Sequence, residues 1–202
     1  MLAIVDYGVG NLFSLRSSLK AIGAEAKLVD TPDELKGYDR IILPGVGAFG
    51  DAAKKLRETG MFEALKCEAA EGKPIMGICL GMQLLLERSY EFGVHEGLGL
   101  IKGEVRPIAE VIPEGLKIPH IGWNELKFSA HPLFKNLHKG DCVYFVHSFY
   151  GANCPSVIAT TDYGAELTAA VADGNVMGCQ FHPEKSGPVG LGILKAFCEI
   201  GG

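Results

Sequence analysis

The sequence predicts an α/β protein with a mostly parallel central sheet flanked by helices and an antiparallel β extension in its second half. Three observations carry this. The first ninety residues alternate short apolar runs with segments of helical period, the order that builds a parallel sheet covered on both faces. After Gly93 the texture changes to short β-rich runs separated by turn residues. The chain has 202 residues, 48% hydrophobic and 21% charged, which suits one folded domain over 1–202.

Each element has its own signal. Leu2–Asp6 reads as a first strand, and Leu12, Leu15, Leu19 and Ile22 then recur at helical spacing until Gly23 offers a stop. Glu25–Val29 reads as a second strand, followed by a helical turn near Pro32–Lys36. Arg40–Pro44 ends a third strand, and residues 48–71 carry a helical pattern with Gly60 as an interruption. Pro74–Ile78 is a buried strand, with Met82–Arg88 as the helix after it. Further strands are expected at 100–108, 118–128, 141–150, 157–161, 167–172 and 176–181, and Pro188–Ile200 closes as a helix.

Composition excludes several classes of function. A net charge of −5 with no run of Lys or Arg argues against a nucleic-acid partner. The apolar start meets Asp6 without a basic region before it, so it reads as a strand rather than a signal peptide. No window reaches 18 apolar residues, and no membrane span is expected. Six cysteines lie far apart with no Cys-x-x-Cys, the pattern of reduced cytoplasmic thiols, and no metal or cofactor is expected.

Two glycine-rich turns invite a nucleotide reading and do not sustain it. Gly8-Val-Gly10 lacks the third glycine of the dinucleotide fingerprint, Phe13 standing in its place. Gly45-Val-Gly47-Ala-Phe-Gly50 has the spacing, but the next strand ends at Ile78-Cys79 with no acid for a ribose. Neither turn continues as Gly-Lys-Ser/Thr.

Gly77-Ile-Cys79-Leu-Gly81 lies where a buried strand meets a helix. Glycines two before and two after a reactive residue suit a sharp strand–turn–helix elbow, where side chains would collide as the backbone doubles back. The elbow lifts the sulfur beside a helix N-terminus, which favours thiolate. Cys67, Cys142, Cys154, Cys179 and Cys198 lack that setting and read as packed thiols. A thiol of ordinary pKa is only slightly ionised at neutrality, so a base should be near. Among six histidines, His95, His131 and His138 read as solvated, and His120 and His147 as structural. His182-Pro-Glu184 follows an apolar run, at a strand end. In an extended segment His182 and Glu184 point to one side, so the carboxylate can fix the imidazole's tautomer. The reading is a Cys79–His182–Glu184 triad.

These residues resemble the class I (triad) glutamine amidotransferases. Gly77–Gln83 and Gln180–Glu184 carry the likeness. Asp6–Leu12, Pro44–Phe49, His120–Asn124, Tyr144–Ser148 and His182–Ser186 resemble, within that family, the glutaminase subunits of imidazole glycerol phosphate synthase. Phe149 departs from the pattern, where tyrosine is more usual. The resemblance implies attack of Cys79 on the amide of glutamine, with His182 protonating the departing ammonia and then activating water. It implies oxyanion donors from the backbone of Leu80, Val46 and Gly47. It gives Gln83 and the backbone around His147, Ser148 and Phe149 to the α-amino and carboxylate groups of L-glutamine. It also implies a partner, a (β/α)8-barrel cyclase subunit that receives the ammonia; such a barrel needs about 250 residues, so it is expected as a separate chain in a heterodimer. Asn11, Arg16, Trp123, Tyr144 and Lys185 match positions near that interface. A different synthase partner, a freestanding cysteine hydrolase and a non-catalytic module are the alternatives.

Overall fold

The computed structural model describes residues 1–200. In chain order the elements are β1 (Leu2–Val5), α1 (Leu12–Ala21), β2 (Ala26–Val29), α2 (Pro32–Leu35), β3 (Arg40–Leu43), α3 (Phe49–Glu58), α4 (Met61–Ala70), β4 (Ile75–Ile78) and α5 (Leu80–Leu85). Then come β5 (Arg88–Ser89), β6 (His95–Glu96), β7 (Glu104–Pro107), β8 (His120–Glu125), β9 (Lys127–Phe128), β10 (Cys142–His147), β11 (Phe149–Ala152), β12 (Val157–Asp162), β13 (Glu166–Asp173), β14 (Val176–Cys179) and α6 (Gly187–Glu199).

The main sheet runs β2-β1-β3-β4-β14-β13-β12-β9. Its first five strands are parallel, and the last three extend it antiparallel. Strands β1, β4 and β14 are buried at every position, which is why they read as unbroken apolar runs rather than alternating ones. On one face Leu15 and Leu19 of α1 pack with Ile193, Leu194 and Phe197 of α6. On the other, Leu56 of α3 and Phe62 and Leu65 of α4 pack with Leu84 and Leu85 of α5.

The 48–71 pattern is two helices interrupted at Gly60, which joins them at φ +76°, a conformation that costs glycine little. Two other expectations need correction. The helix expected at 82–88 is instead α5, starting directly after Cys79 and stopping at Leu85. The backbone N–H groups of Leu98, Leu100 and Gly99 donate to the carbonyls of Leu84, Leu85 and Leu86, taking the acceptors that another helical turn would use. The β-rich second half does not all extend the main sheet. β8 and β10 form their own antiparallel ribbon, and β11-β7-β5-β6 form a small sheet in which β5 and β7 are parallel.

Candidate active site

The elbow forms as the glycine spacing requires. Cys79 sits between β4 and α5 at φ 55°, ψ −111°, a strained conformation for a residue with a Cβ. Its N–H donates to the Cys179 carbonyl at 2.8 Å, which ties the turn to the neighbouring strand β14. A Cβ on Gly77 would lie 2.6 Å from the Gly81 backbone, and one on Gly81 only 1.8 Å from the Leu43 carbonyl oxygen. Both glycines are steric necessities of the doubled-back chain.

His182 arrives from the adjacent strand. β14 ends at Cys179, and two buried residues lead to His182, which is extended at φ −100°, ψ 97°. The expected strand through 181 therefore stops earlier, and Glu184 does not share its side by strand alternation. Pro183–Lys185 is instead a 3₁₀ turn. That turn is pinned by the His182 N–H to the Tyr144 carbonyl (2.9 Å), by Ser186 Oγ donating to the His182 carbonyl (2.6 Å), and by the Tyr144 N–H to Ser186 Oγ (3.0 Å). Gly190 of α6 presses against it; a Cβ there would meet the Pro183 carbonyl at 1.9 Å. The result is an imidazole Nδ1 2.8 Å from Glu184 Oε1, both side chains only 4% exposed.

Since the carboxylate accepts, Nδ1 carries the hydrogen and Nε2 is left for the sulfur. Burial works against the imidazolium, but hydrogen bonds with Cys79 and Glu184, together with their charges, outweigh it and raise the His182 pKa to about 9. Cys79, His182, Gln83, Val46 and Gly47 line one cavity of about 440 Å³ with Ser148 and Phe149. Gly47 has φ +97°. Gly45 is pressed against Tyr7, whose hydroxyl donates to the Pro44 carbonyl at 2.9 Å. Gly50 lies under His95. The glycines of the turn after β3 thus serve close packing and backbone reversal beside the cysteine.

Residues 3–199 match the family described as Glutamine amidotransferase class-I. The chain belongs to that family.

Among its relatives are proteins named imidazole glycerol phosphate synthase subunit HisH. That of Sulfurimonas denitrificans is 53% identical over 98% of both chains, and that of Wolinella succinogenes is 50% identical over the whole of both. That of Caldanaerobacter subterraneus is 49% identical over 99% of this chain and 98% of the relative. Two solved structures share the fold, each with a TM-score of 0.77 over 98% of this chain and 97% of the other. One is described as a glutamine amidotransferase (22% identity), the other as PurLQS from Thermotoga maritima (25% identity).

Three further residues of this amidotransferase site carried no separate sequence signal. Gln180 is fully buried, and its Nε2 lies 3.7 Å from Cys79 Sγ while its Oε1 accepts from Gln83 Nε2 at 2.9 Å. Gln83 also donates to the Phe149 carbonyl at 3.2 Å, so this helix residue is buried, not exposed. Glu91 lines the cavity with its carboxylate 2.6 Å from the Phe49 N–H at the start of α3. The Tyr7 hydroxyl is the third; burial and the Cys79 charge push its pKa well up.

The residues matched to a partner surface gather around the same 3₁₀ turn. Trp123 on β8 is 56% exposed and stands edge-on to Tyr144 on β10 at 5.9 Å. Lys185 Nζ lies over the Tyr144 ring at 5.7 Å. Arg16 is exposed on α1, and Asn11 caps that helix by accepting from the Ser14 N–H. Ser18 of α1 donates to the Glu184 carbonyl at 3.4 Å, which brings the helix against the turn.

Proposed function

We propose that this chain is the glutaminase subunit of an imidazole glycerol phosphate synthase, working in histidine biosynthesis and supplying ammonia to a (β/α)8-barrel cyclase bound as a heterodimer. The observation that carries the reading is a cysteine held at positive φ by two obligatory glycines, beside an imidazole steered by a buried carboxylate.

The chemistry follows from these groups. Cys79 thiolate attacks the side-chain carbonyl carbon of glutamine, forming a C–S bond and an oxyanion. In this reading Leu80 and the Val46-Gly47 turn, which line the cavity with Cys79, supply the N–H donors for that charge; losing one such donor typically costs about 10²–10³ in rate. The imidazolium gives its Nε2 proton to the nitrogen as the C–N bond breaks, and ammonia leaves. Water then attacks the γ-glutamyl thioester, its proton passes to His182, and the C–S bond breaks to release glutamate and thiolate. Glu184 keeps Nδ1 protonated throughout.

Ammonium and carboxylate groups of the substrate need opposite partners. Glu91 and Gln83 Oε1 suit the ammonium. The carboxylate suits the backbone at Ser148 and Phe149. Ile108 N–H bonds the Ser148 carbonyl, so the neighbouring Pro107–Phe149 pair is a non-bonded one, and the N–H and C=O of Phe149 both point off the sheet edge. Phe149 serves through its backbone, which makes its departure from tyrosine harmless.

Trp123, Tyr144, Lys185, Arg16 and Asn11 form the cyclase-facing surface in this reading. The cytoplasm is its compartment; among the described residues no helix is long and apolar enough to cross a membrane. The test is Cys79→Ala in the reconstituted complex. Synthesis from glutamine is lost by at least about 10³-fold while synthesis from ammonium salts persists. Retained glutamine-dependent synthesis overturns the proposal.

A further inference from the structure

A chain of side chains outside the triad has fewer hydrogens than it has bonds to make. Asn124 on β8 donates its Nδ2 to the Asp162 carbonyl at 3.0 Å, which fixes the amide so that Oδ1 faces His120 Nε2 at 2.8 Å. His120 Nδ1 lies 3.0 Å from His147 Nε2, and His147 Nδ1 lies 2.8 Å from the Phe149 carbonyl. Both ends of this chain, Asn124 Oδ1 and Phe149 O, can only accept. Three contacts therefore need three ring hydrogens, and two neutral imidazoles carry two. Turning the amide over would set two oxygens 3.0 Å apart at Asp162, so the shortage stays within the histidine pair.

The pair is held where it cannot escape the shortage by moving. The His120 ring is stacked between Tyr163 at 4.0 Å and Phe145 at 5.0 Å, both within 20° of parallel, and both histidines are buried. Burial lowers the pKa of each, His147 to about 4, so the third hydrogen is not gained at neutral pH. The titratable groups facing the pair are His182 beyond His147 and the phenol of Tyr163 over His120. Asp162 offers Asn124 its carbonyl, and its carboxylate is bonded to the Gly164 N–H.

We propose that His120 and His147 form a two-state hydrogen relay in which Asn124 and the Phe149 carbonyl compete for one hydrogen, and that the outcome positions the glutamine site. In one setting His120 holds its hydrogen on Nε2 and His147 on Nε2; Asn124 is satisfied and a bare Nδ1 faces the Phe149 carbonyl. In the other both hydrogens are on Nδ1, the Phe149 carbonyl is held by His147 as well as Gln83, and its N–H on the same strand edge is fixed toward the cavity. Each ring carries one hydrogen in both settings: as the middle hydrogen moves from His147 Nε2 to His120 Nδ1, His120 Nε2 gives its own to water at the half-exposed Asn124 end and water in the cavity that His147 lines returns one to His147 Nδ1. His120, His147 and Asn124 are positioning residues here. Asn124 neighbours Trp123 on β8, so a partner that engages this strand biases the relay at its outer end.

The inference rests on the glutaminase reading, and its test separates the two. Asn124→Leu removes the outer acceptor and sets the relay toward Phe149. At pH 7.5 the variant's KM for glutamine falls by up to about tenfold, the worth of one hydrogen bond, with kcat little changed. The 15N ring signals of His147 move to the Nδ1–H tautomer. Below the pair's pKa a third hydrogen satisfies both ends, so the KM difference from wild type closes as the pH falls. Asn124→Ser gives the same tautomer measurement with a shorter polar side chain, should the leucine variant fold poorly; a serine too short to reach His120 shows the same Nδ1–H shift. Unchanged tautomer populations in the folded variants, or a KM difference that does not depend on pH, overturn the relay. Absence of glutamine hydrolysis by the wild-type complex overturns instead the reading beneath it, and the tautomer measurement still decides the relay.

Discussion

The cysteine elbow and the β8–β10 ribbon hold their functional groups in opposite ways. At the elbow, position is enforced by steric exclusion: strands β4 and β14 are wholly buried, and two glycines leave no room for any side chain. On the ribbon, position is enforced by polar bonds between side chains, and the outward face leaves Ile121 and Trp123 more than half exposed. The first arrangement resists change and keeps Cys79 in its strained conformation. In the proposed reading the second can be re-set by a hydrogen or a docked partner, so that catalysis is built on the rigid region and its control on the adjustable one.

Variants can break this contrast. Glu184→Gln strikes where the two regions meet and gives the largest effect. Glutamine hydrolysis falls by about 10³–10⁴-fold, measured as glutamate release by the complex. The same variant has a pH signature. The His182 pKa is raised to about 9 in the folded chain, so the stability this pair contributes is present in full below the unfolded histidine value near 6.5. It is lost as pH rises through about 9. In Glu184→Gln that loss moves to lower pH, seen in melting temperatures across the range.

Gly81→Ala tests the steric half. Its Cβ would overlap the Leu43 carbonyl, and over-packing of this kind costs about 1–3 kcal/mol, read from denaturant midpoints. An alanine tolerated without cost would mean that the elbow is looser than described. Trp123→Ala tests the ribbon and gives the smallest change to the chain itself. Its melting temperature stays near wild type, since the ring is largely exposed, while cyclase affinity weakens by about tenfold or more. Equal affinity would remove Trp123 from the interface.

The same contrast explains what the sequence alone conveys. Gly77 and Gly81 were legible because steric demands are local: their spacing from Cys79 is the requirement itself. Gly60 marked a helix break for the same reason. His182-Pro-Glu184 was legible as a pair, but the 3₁₀ turn that joins them depends on Ser186, Tyr144 and α6, and strand alternation was the wrong route to the contact. The end of α5 was not legible, because carbonyls of Leu84–Leu86 are taken by the N–H groups of Leu98, Gly99 and Leu100, well beyond the helix. Gln180 meets Gln83 across 97 positions, and no local pattern announces such a bond. His120 and His147 read as satisfied structural histidines; they are buried and bonded, yet their hydrogens do not cover their contacts.

The central claim is a reactive Cys79 thiolate served by His182. A diazoketone analogue of glutamine, applied to the complex and followed by peptide mass spectrometry, tests it most directly. The account predicts one equivalent bound, all of it on Cys79, with labelling slowed at least about 10²-fold in His182→Asn. Label on another of the six cysteines, or an unchanged rate in that variant, would contradict it.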